Sequence, residues 1–188
     1  PSALEKWTGP RGCEWASSDA DPEGDVAARG LLKPGTYMNR SGEIVAPAAR
    51  WLARGGVLPA SMSPEGGDAE ADPTRPEPDP ASILVVYDDM DLEVGELRLR
   101  PHGGHGGQNG MRNIMDRLRT DGVPRLRVGI GRAGTDAARH VLSPFSAPEE
   151  ESIGVSIAEA SEAAEAFLAG EELSRLMTRF HSRWKGSG

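Results

Sequence analysis

The sequence predicts an α/β fold: a single-domain mixed β-sheet flanked by helices. Three observations predict it. Ile83-Leu84-Val85-Val86-Tyr87 is a continuous apolar run of buried-strand type. Residues 96–100 alternate polar and apolar around Leu97 and Leu99, as a half-buried strand does. Residues 111–118 and 153–168 repeat apolar positions at helical spacing. Strands interleaved with helices place the chain in the α/β class.

The elements follow in order. Residues 1–30 read as a poorly defined N-terminal remnant, with Trp7 and Trp15 the only packing signals and a polar, turn-rich stretch at 17–24. Leu31-Leu32-Lys33-Pro34 reads as the end of a short strand stopped by Pro34. Ser41 is placed to cap a helix whose apolar face is Ile44, Val45, Ala48, Ala49, Trp51 and Leu52, ending near Arg54 before Gly55-Gly56. Residues 60–80 are a Pro-, Gly-, Asp- and Glu-rich insert with too little apolar surface to offset its ordering entropy, and are expected to be a disordered loop. Residues 126–130 form another strand. Pro148 opens a long amphipathic helix that Gly170 stops, and Leu173, Leu176, Met177 and Phe180 mark a last short helix. The main domain is therefore expected to span 31–185.

Composition narrows the class. Of 188 residues, 37 % are hydrophobic, and 24 Gly and 15 Pro point to a folded core smaller than the length suggests. The longest apolar runs are too short to cross a bilayer. The single cysteine, Cys13, excludes an intrachain disulfide framework and a Cys-based zinc cluster. The chain starts at Pro1 rather than Met, which predicts a processed N-terminus or a fragment. The formal net charge of -8 argues against nucleic-acid binding. Its distribution argues the other way, because residues 98–132 hold eight arginines against Asp116 and Asp121. Such a stripe can still bind phosphate, since charges farther off than about 10 Å are largely screened at 0.1 M salt.

The most informative stretch is Pro101-His102-Gly103-Gly104-His105-Gly106-Gly107-Gln108-Asn109-Gly110. Its glycines permit left-handed backbone and close approach to a ligand, and it opens a helix whose N–H groups can hold an anion. The spacing is neither a dinucleotide fingerprint nor a P-loop. His102 and His105 could ligate a metal, although a glycine loop lacks the rigid spacing of a helix. Asp88-Asp89-Met90-Asp91 lies at the carboxyl end of a strand, where ligands of open α/β sheets bind. One of these aspartates is expected to orient a histidine or hold Mg²⁺, the others to cap or turn. In Tyr37-Met38-Asn39, Asn39 can grip a peptide amide or ester carbonyl, or can make an Asx turn. Arg112 and Arg119 share a helix face, and Arg125 and Arg127 a strand face; both read as solvated faces able to meet phosphate.

Five ordered stretches together resemble bacterial-type peptidyl-tRNA hydrolase. They are residues 32–42 (from Leu32-Lys33-Pro34-Gly35 to Ser41-Gly42), 83–92 (from Ile83 through Tyr87-Asp88-Asp89 to Leu92), 103–112 (Gly103-Gly104-His105-Gly106-Gly107-Gln108-Asn109-Gly110-Met111-Arg112), 124–132 (Pro124-Arg125-Leu126-Arg127-Val128-Gly129-Ile130-Gly131-Arg132) and 140–145 (His140-Val141-Leu142-Ser143-Pro144-Phe145). The resemblance runs from about Leu31 to Phe180, interrupted by the insert. Two family motifs, Gly-Asn-Pro-Gly and Thr-Arg-His-Asn, have no counterpart, so the chain resembles the family without its first strand and helix.

The resemblance implies hydrolysis of the ester in peptidyl-tRNA, releasing peptide and recycling tRNA, with no metal or cofactor. It implies that Asp88 orients and stabilises a catalytic histidine, and that Asn109 and Asn39 bind the peptide and ester region beside Tyr37. It also places Arg100, Arg112 and Arg127 toward tRNA phosphate. The family's histidine belongs to the missing Thr-Arg-His-Asn motif, and none of His102, His105, His140 or His181 matches it. Gln108 stands where the family usually has a histidine. The expectation is a monomer outside membranes, cytoplasmic or in a eukaryotic organelle, whose isolated 188 residues lack the base. The alternatives are a catalytically silent RNA-binding relative and a metal-dependent hydrolase using His102 and His105.

Overall fold

The computed structural model has the expected α/β class, with sheets flanked by helices; among the described residues the strands form two three-stranded sheets rather than one mixed sheet. The structure describes residues 5–8, 13–18, 28–53, 77–132 and 137–184. Residues 60–76 of the insert and the Arg54-Gly55-Gly56 stop signal lie outside them. The chain divides into two compact units, Pro1–Ile83 with Gly103–Gly122, and Leu84–His102 with Val123–Gly188.

The first unit opens with an antiparallel meander that the sequence did not disclose. It comprises β1 (Glu5–Thr8), β2 (Glu14–Ser18) and β3 (Arg29–Lys33), with Trp15 opposite Leu32. Helix α1 (Gly42–Ala53) packs Ile44 and Ala48 onto Cys13 and Trp15, with Leu32 and Leu52 alongside. Trp51, expected on this apolar face, is instead exposed. It borders the Ile44–Ala48–Leu52 stripe on the Ile44 side and lies in the last turn of the helix. Helix α2 (Asn109–Leu118) buries Gly110, Met111 and Ile114. It ends at Arg119 in the left-handed conformation (φ 55°), an end that no glycine announces.

In the second unit, β4 (Val85–Asp89) pairs parallel to β6 (Arg125–Gly129), and β5 (Leu97–Arg100) pairs antiparallel to its other edge. Leu97, Leu99 and Leu126 meet Ala160 and Ala163 of α4 (Ala147–Leu168) and Leu176 and Phe180 of α5 (Leu173–Trp184). A short helix, α3 (Ala137–Val141), precedes them. The run at 83–87 is not the fully buried strand its composition suggested, since Val86 is 47 % exposed. Among the described residues β4 is an edge strand, and α4 and α5 cover β5 and β6.

Register sorts this sheet into two faces. Tyr87 lies opposite Arg127, Arg98 opposite Arg127, and Arg100 opposite Arg125. Side chains alternate along a strand, so Tyr87, Asp89 and the four arginines share one face. Leu97, Leu99, Leu126, Val128 and Asp88 take the other. At Arg125 and Arg127 this face is not the solvated one that was expected. Arg125 is 2 % exposed, and its Nε and Nη2 donate to the Val123 carbonyl at 3.1 and 3.0 Å. Arg127 Nε donates to the Asp89 carboxylate, a pair with side chains only 20 % and 11 % exposed. The Asp89 carboxylate holds the Arg127 guanidinium above its ordinary pKa, and burial raises the Tyr87 phenol.

The N-terminus of α4 is tied by Glu149, whose carboxylate accepts from the Ser146 hydroxyl (2.5 Å) and backbone N–H (2.8 Å). These bonds hold the Glu149 carboxyl below the usual carboxylate range.

Three outcomes follow from this packing. Leu126 is fully buried, so Leu126→Ala should cost about 3 kcal/mol in urea denaturation, the usual size for an unfilled core site. Asp89→Ala strands a partly buried guanidinium and should cost about 1.5–3 kcal/mol. Glu149 has a folded pKa below its unfolded one, so its contribution is complete above the unfolded value and is lost as pH falls through the folded value. Stability measured by urea across acid pH should therefore fall less steeply in Ser146→Ala than in the parent.

Candidate active site

In the first unit, Pro34-Gly35 ends β3 and delivers the chain into a 3-10 turn at Met38–Arg40. The Arg40 N–H bonds to the Tyr37 carbonyl at 2.8 Å. Ser41 does not cap α1 through its side chain as expected. Its hydroxyl donates backward to the Met38 carbonyl at 2.9 Å, while its own carbonyl accepts from Ile44 and Val45. The turn is locked and its side chains face out: Tyr37 is 81 % exposed, and Met38 and Asn39 are exposed too. Gly35, Thr36, Tyr37 and Arg40 line a hollow of about 490 Å³.

Arg40 grips Glu43 (Nη2 to Oε2, 2.7 Å), and Glu43 also faces Arg117 of α2 at 3.6 Å. Glu43 raises the Arg40 guanidinium above its ordinary pKa. Both contacts steady the turn against its surroundings.

The glycine loop brings Asn109 to the same place. Gly106 and Gly107 have φ of 57° and 82°, conformations that L side chains rarely adopt. The Gly107 N–H donates to His105 Nδ1 at 3.1 Å, and the Gln108 N–H to the His105 carbonyl at 2.9 Å. Asn109 then starts α2, exposed. Its neighbour Gly110 lies against the turn: a Cβ there would sit 2.8 Å from Met38 Sδ and 3.1 Å from the Met38 carbonyl oxygen. Asn39 and Asn109, seventy positions apart, are thus the immediate chain neighbours of the two residues, Met38 and Gly110, that meet. Arg112 is exposed on the same helix.

In the second unit, parity separates the aspartates. Asp89 Oδ1 accepts from the Asp91 N–H at 2.9 Å and its other oxygen from Arg127, so this carboxylate serves the turn and the arginine. Asp88, half-buried, lies on the opposite face across from Val128. Asp91 is exposed, as is Arg100 at the end of β5. His140 also belongs here. Its Nε2 lies 3.0 Å from the carbonyls of both Ile130 and Gly131, and so carries the proton and pins α3 to the end of β6. Among the described residues, no three His, Cys, Asp or Glu side chains gather into a set able to hold a metal ion. None of the described helices is long and apolar enough to cross a membrane.

The structure therefore joins Tyr37, Asn39 and Asn109 in one unit and gives Asp88 and Asp89 different surroundings in the other. Sequence reasoning missed Asn113, whose Oδ1 accepts the Gly42 N–H at 2.8 Å. The available signal was its position one helical turn after Asn109.

Comparison with known proteins bears on this arrangement. A family model described as peptidyl-tRNA hydrolase matches residues 71–187. The peptidyl-tRNA hydrolase of Moorella thermoacetica is 40 % identical over 153 residues, covering 80 % of this chain and 68 % of that protein. That of Synechococcus sp. strain JA-3-3Ab is 38 % identical over 182 residues, covering 95 % and 70 %. The crystal structure of peptidyl-tRNA hydrolase from Acinetobacter baumannii superposes with a TM-score of 0.68 at 26 % identity, covering 95 % of this chain and 77 % of that one. With its glycine loop, its Tyr-Met-Asn turn and its strand-end aspartates inside the matched stretches, this chain belongs to the peptidyl-tRNA hydrolase family.

Proposed function

We propose that the chain binds peptidyl-tRNA for hydrolysis of the ester between the peptide and the terminal ribose, and that the reaction needs a histidine base besides the described side chains. The observation that carries the reading is the contact of Gly110 with Met38, whose immediate chain neighbours are two exposed asparagines. An asparagine offers both a donor and an acceptor, so such a pair can hold a peptide amide and steady a carbonyl as it gains negative charge. In this reading Asn39 and Asn109 grip the first peptide bond and the ester, and Tyr37 flanks them. Asp88 keeps a histidine base in its proton-accepting form, because ester hydrolysis near neutral pH needs water activated by a group of matching pKa.

Arg100 and Arg112, both exposed, meet tRNA phosphate as point contacts. Arg127 joins them with the guanidinium edge that Asp89 does not hold. The reaction requires no metal and one polypeptide, in the compartment where translation runs. In this reading none of the histidines with described side chains is the base: His102 is exposed on the glycine loop, His105 Nδ1 accepts from its own loop, and His140 Nε2 faces two carbonyls.

Two measurements test this. The 188-residue chain should bind peptidyl-tRNA but leave its ester intact in a single-turnover assay. Robust hydrolysis would put the base on another side chain and remove the role given to Asp88; failure to bind would overturn the reading. Arg112→Glu should weaken tRNA binding and reduce the slope of log K against log salt by about one phosphate contact's worth.

A further inference from the structure

We infer that Asn113 is a positioning residue for the substrate grip, clasping the turn that carries Asn39 to the helix that carries Asn109. The inference rests on the function proposed above and assigns a role to a side chain that does not itself face the substrate.

Asn113 lies one turn beyond Asn109 on α2, so both project from the same side of that helix. Its Oδ1 accepts the N–H of Gly42 at 2.8 Å. Gly42 is the first residue of α1, and its N–H is one of the four donors that a helix start leaves unpaired. The side chain of one helix thus caps the start of another. The backbones also touch: a Cβ on Gly42 would lie 2.3 Å from the Asn113 carbonyl oxygen and 2.9 Å from its Oδ1. No other residue fits at 42 without moving α1 away from α2.

This is the second of two clasps. The first is Gly110 on Met38, and Ser41 links the pair by bonding back to the Met38 carbonyl. Asn39 lies between them in sequence, flanked by a fixed residue on either side. The spacing on α2 matches, because positions 110 and 113 fall on one helix face. With Gly110 alone the turn can pivot about Met38. With Asn113 as well, its far end is held and the Asn39 amide has one place relative to Asn109. A displacement of about 1 Å is enough to spoil such a grip.

The alternative is that Asn113 supports stability only, and binding separates the two. The ligands are a tRNA acceptor minihelix bearing a dipeptide through a non-hydrolysable 3′-amide, and the same minihelix without peptide. The parent 188-residue chain should bind the peptidyl form more tightly. Asn113→Ala should lose about five- to tenfold of that preference, the worth of one net hydrogen bond, while the bare minihelix binds as before. Asn113→Asp keeps the acceptor and adds a charge suited to a helix N-terminus, so it should keep the preference. Asn113→Gln keeps the amide but displaces it by a methylene, so it should lose the preference, and it provides the test if Asn113→Ala does not fold. Equal weakening toward both ligands, or an Asp variant that behaves like Ala, would overturn the proposal. A parent chain with no preference for the peptidyl form would instead overturn the functional reading beneath it.

Discussion

The first unit turns on two glycines that permit close approach. A Cβ at Gly42 would meet the Asn113 main chain, and one at Gly110 would meet the Met38 side chain and, at 3.1 Å, its carbonyl oxygen. Helices α1 and α2 therefore meet at Gly42 at a separation set by bare backbone, and the Met38–Arg40 turn comes close to α2 at Gly110. Packing tolerates slippage, because apolar side chains can exchange rotamers and refill space. Backbone contact backed by the Asn113–Gly42 hydrogen bond does not. The exposed side chains on this seam, Tyr37, Asn39 and Asn109, owe their placement to groups that are themselves out of sight.

The second unit solves a different problem with strand parity. Two adjacent aspartates end β4, and a one-residue offset puts them on opposite faces of the sheet. Asp89 falls among arginines and is taken up by Arg127. Asp88 falls on the face of Leu126 and Val128. Identical side chains thus acquire different surroundings from geometry alone. The close fit at Gly129, where a Cβ would lie 2.0 Å from the Glu93 carbonyl oxygen, fixes the end of β6 beside the turn after β4. Any shift of register that exchanged the two aspartates would have to break that fit.

Much of this was legible in the sequence, and for identifiable reasons. Helices α1, α2, α4 and α5 and strands β3 to β6 follow from periodicity with stop signals such as Pro34 and Gly170, and their ends agree to within a few residues. Tyr37, Asn39, Asp88 and Asn109 stood out because polar groups follow turn or glycine signals directly. The meander β1–β2 was hidden, since short strands rich in charge, Ser and Ala carry little alternation. The division into two sheets could not be read, because strand pairing is a long-range choice that local pattern does not encode. Arg125 and Arg127 were misread as a solvated face for a similar reason: a charged residue at strand spacing reads as exposed unless its partner is known. Asp89 lies 38 positions from Arg127, and nothing local links them. Asn113 was missed because an asparagine inside a helix normally faces water.

Gln108 shows how far backbone control extends. The family resemblance puts histidine there, and the replacement removes a group able to carry a proton at neutral pH. The backbone on either side of Gln108 is nevertheless held by main-chain bonds, and its side chain makes no cap bond to α2. The Gln108 N–H is held by the His105 carbonyl, and the Gln108 carbonyl accepts the Arg112 N–H at 3.0 Å as the helix begins. Both bonds are main-chain bonds that any non-proline residue makes. Gly106 and Gly107 provide the left-handed steps before it, and open space surrounds them, so it is their backbone conformation that calls for glycine. Those main-chain bonds are therefore open to histidine and glutamine alike. What the exchange alters is the chemistry available beside the grip, because glutamine can hydrogen-bond there but cannot carry a proton at neutral pH.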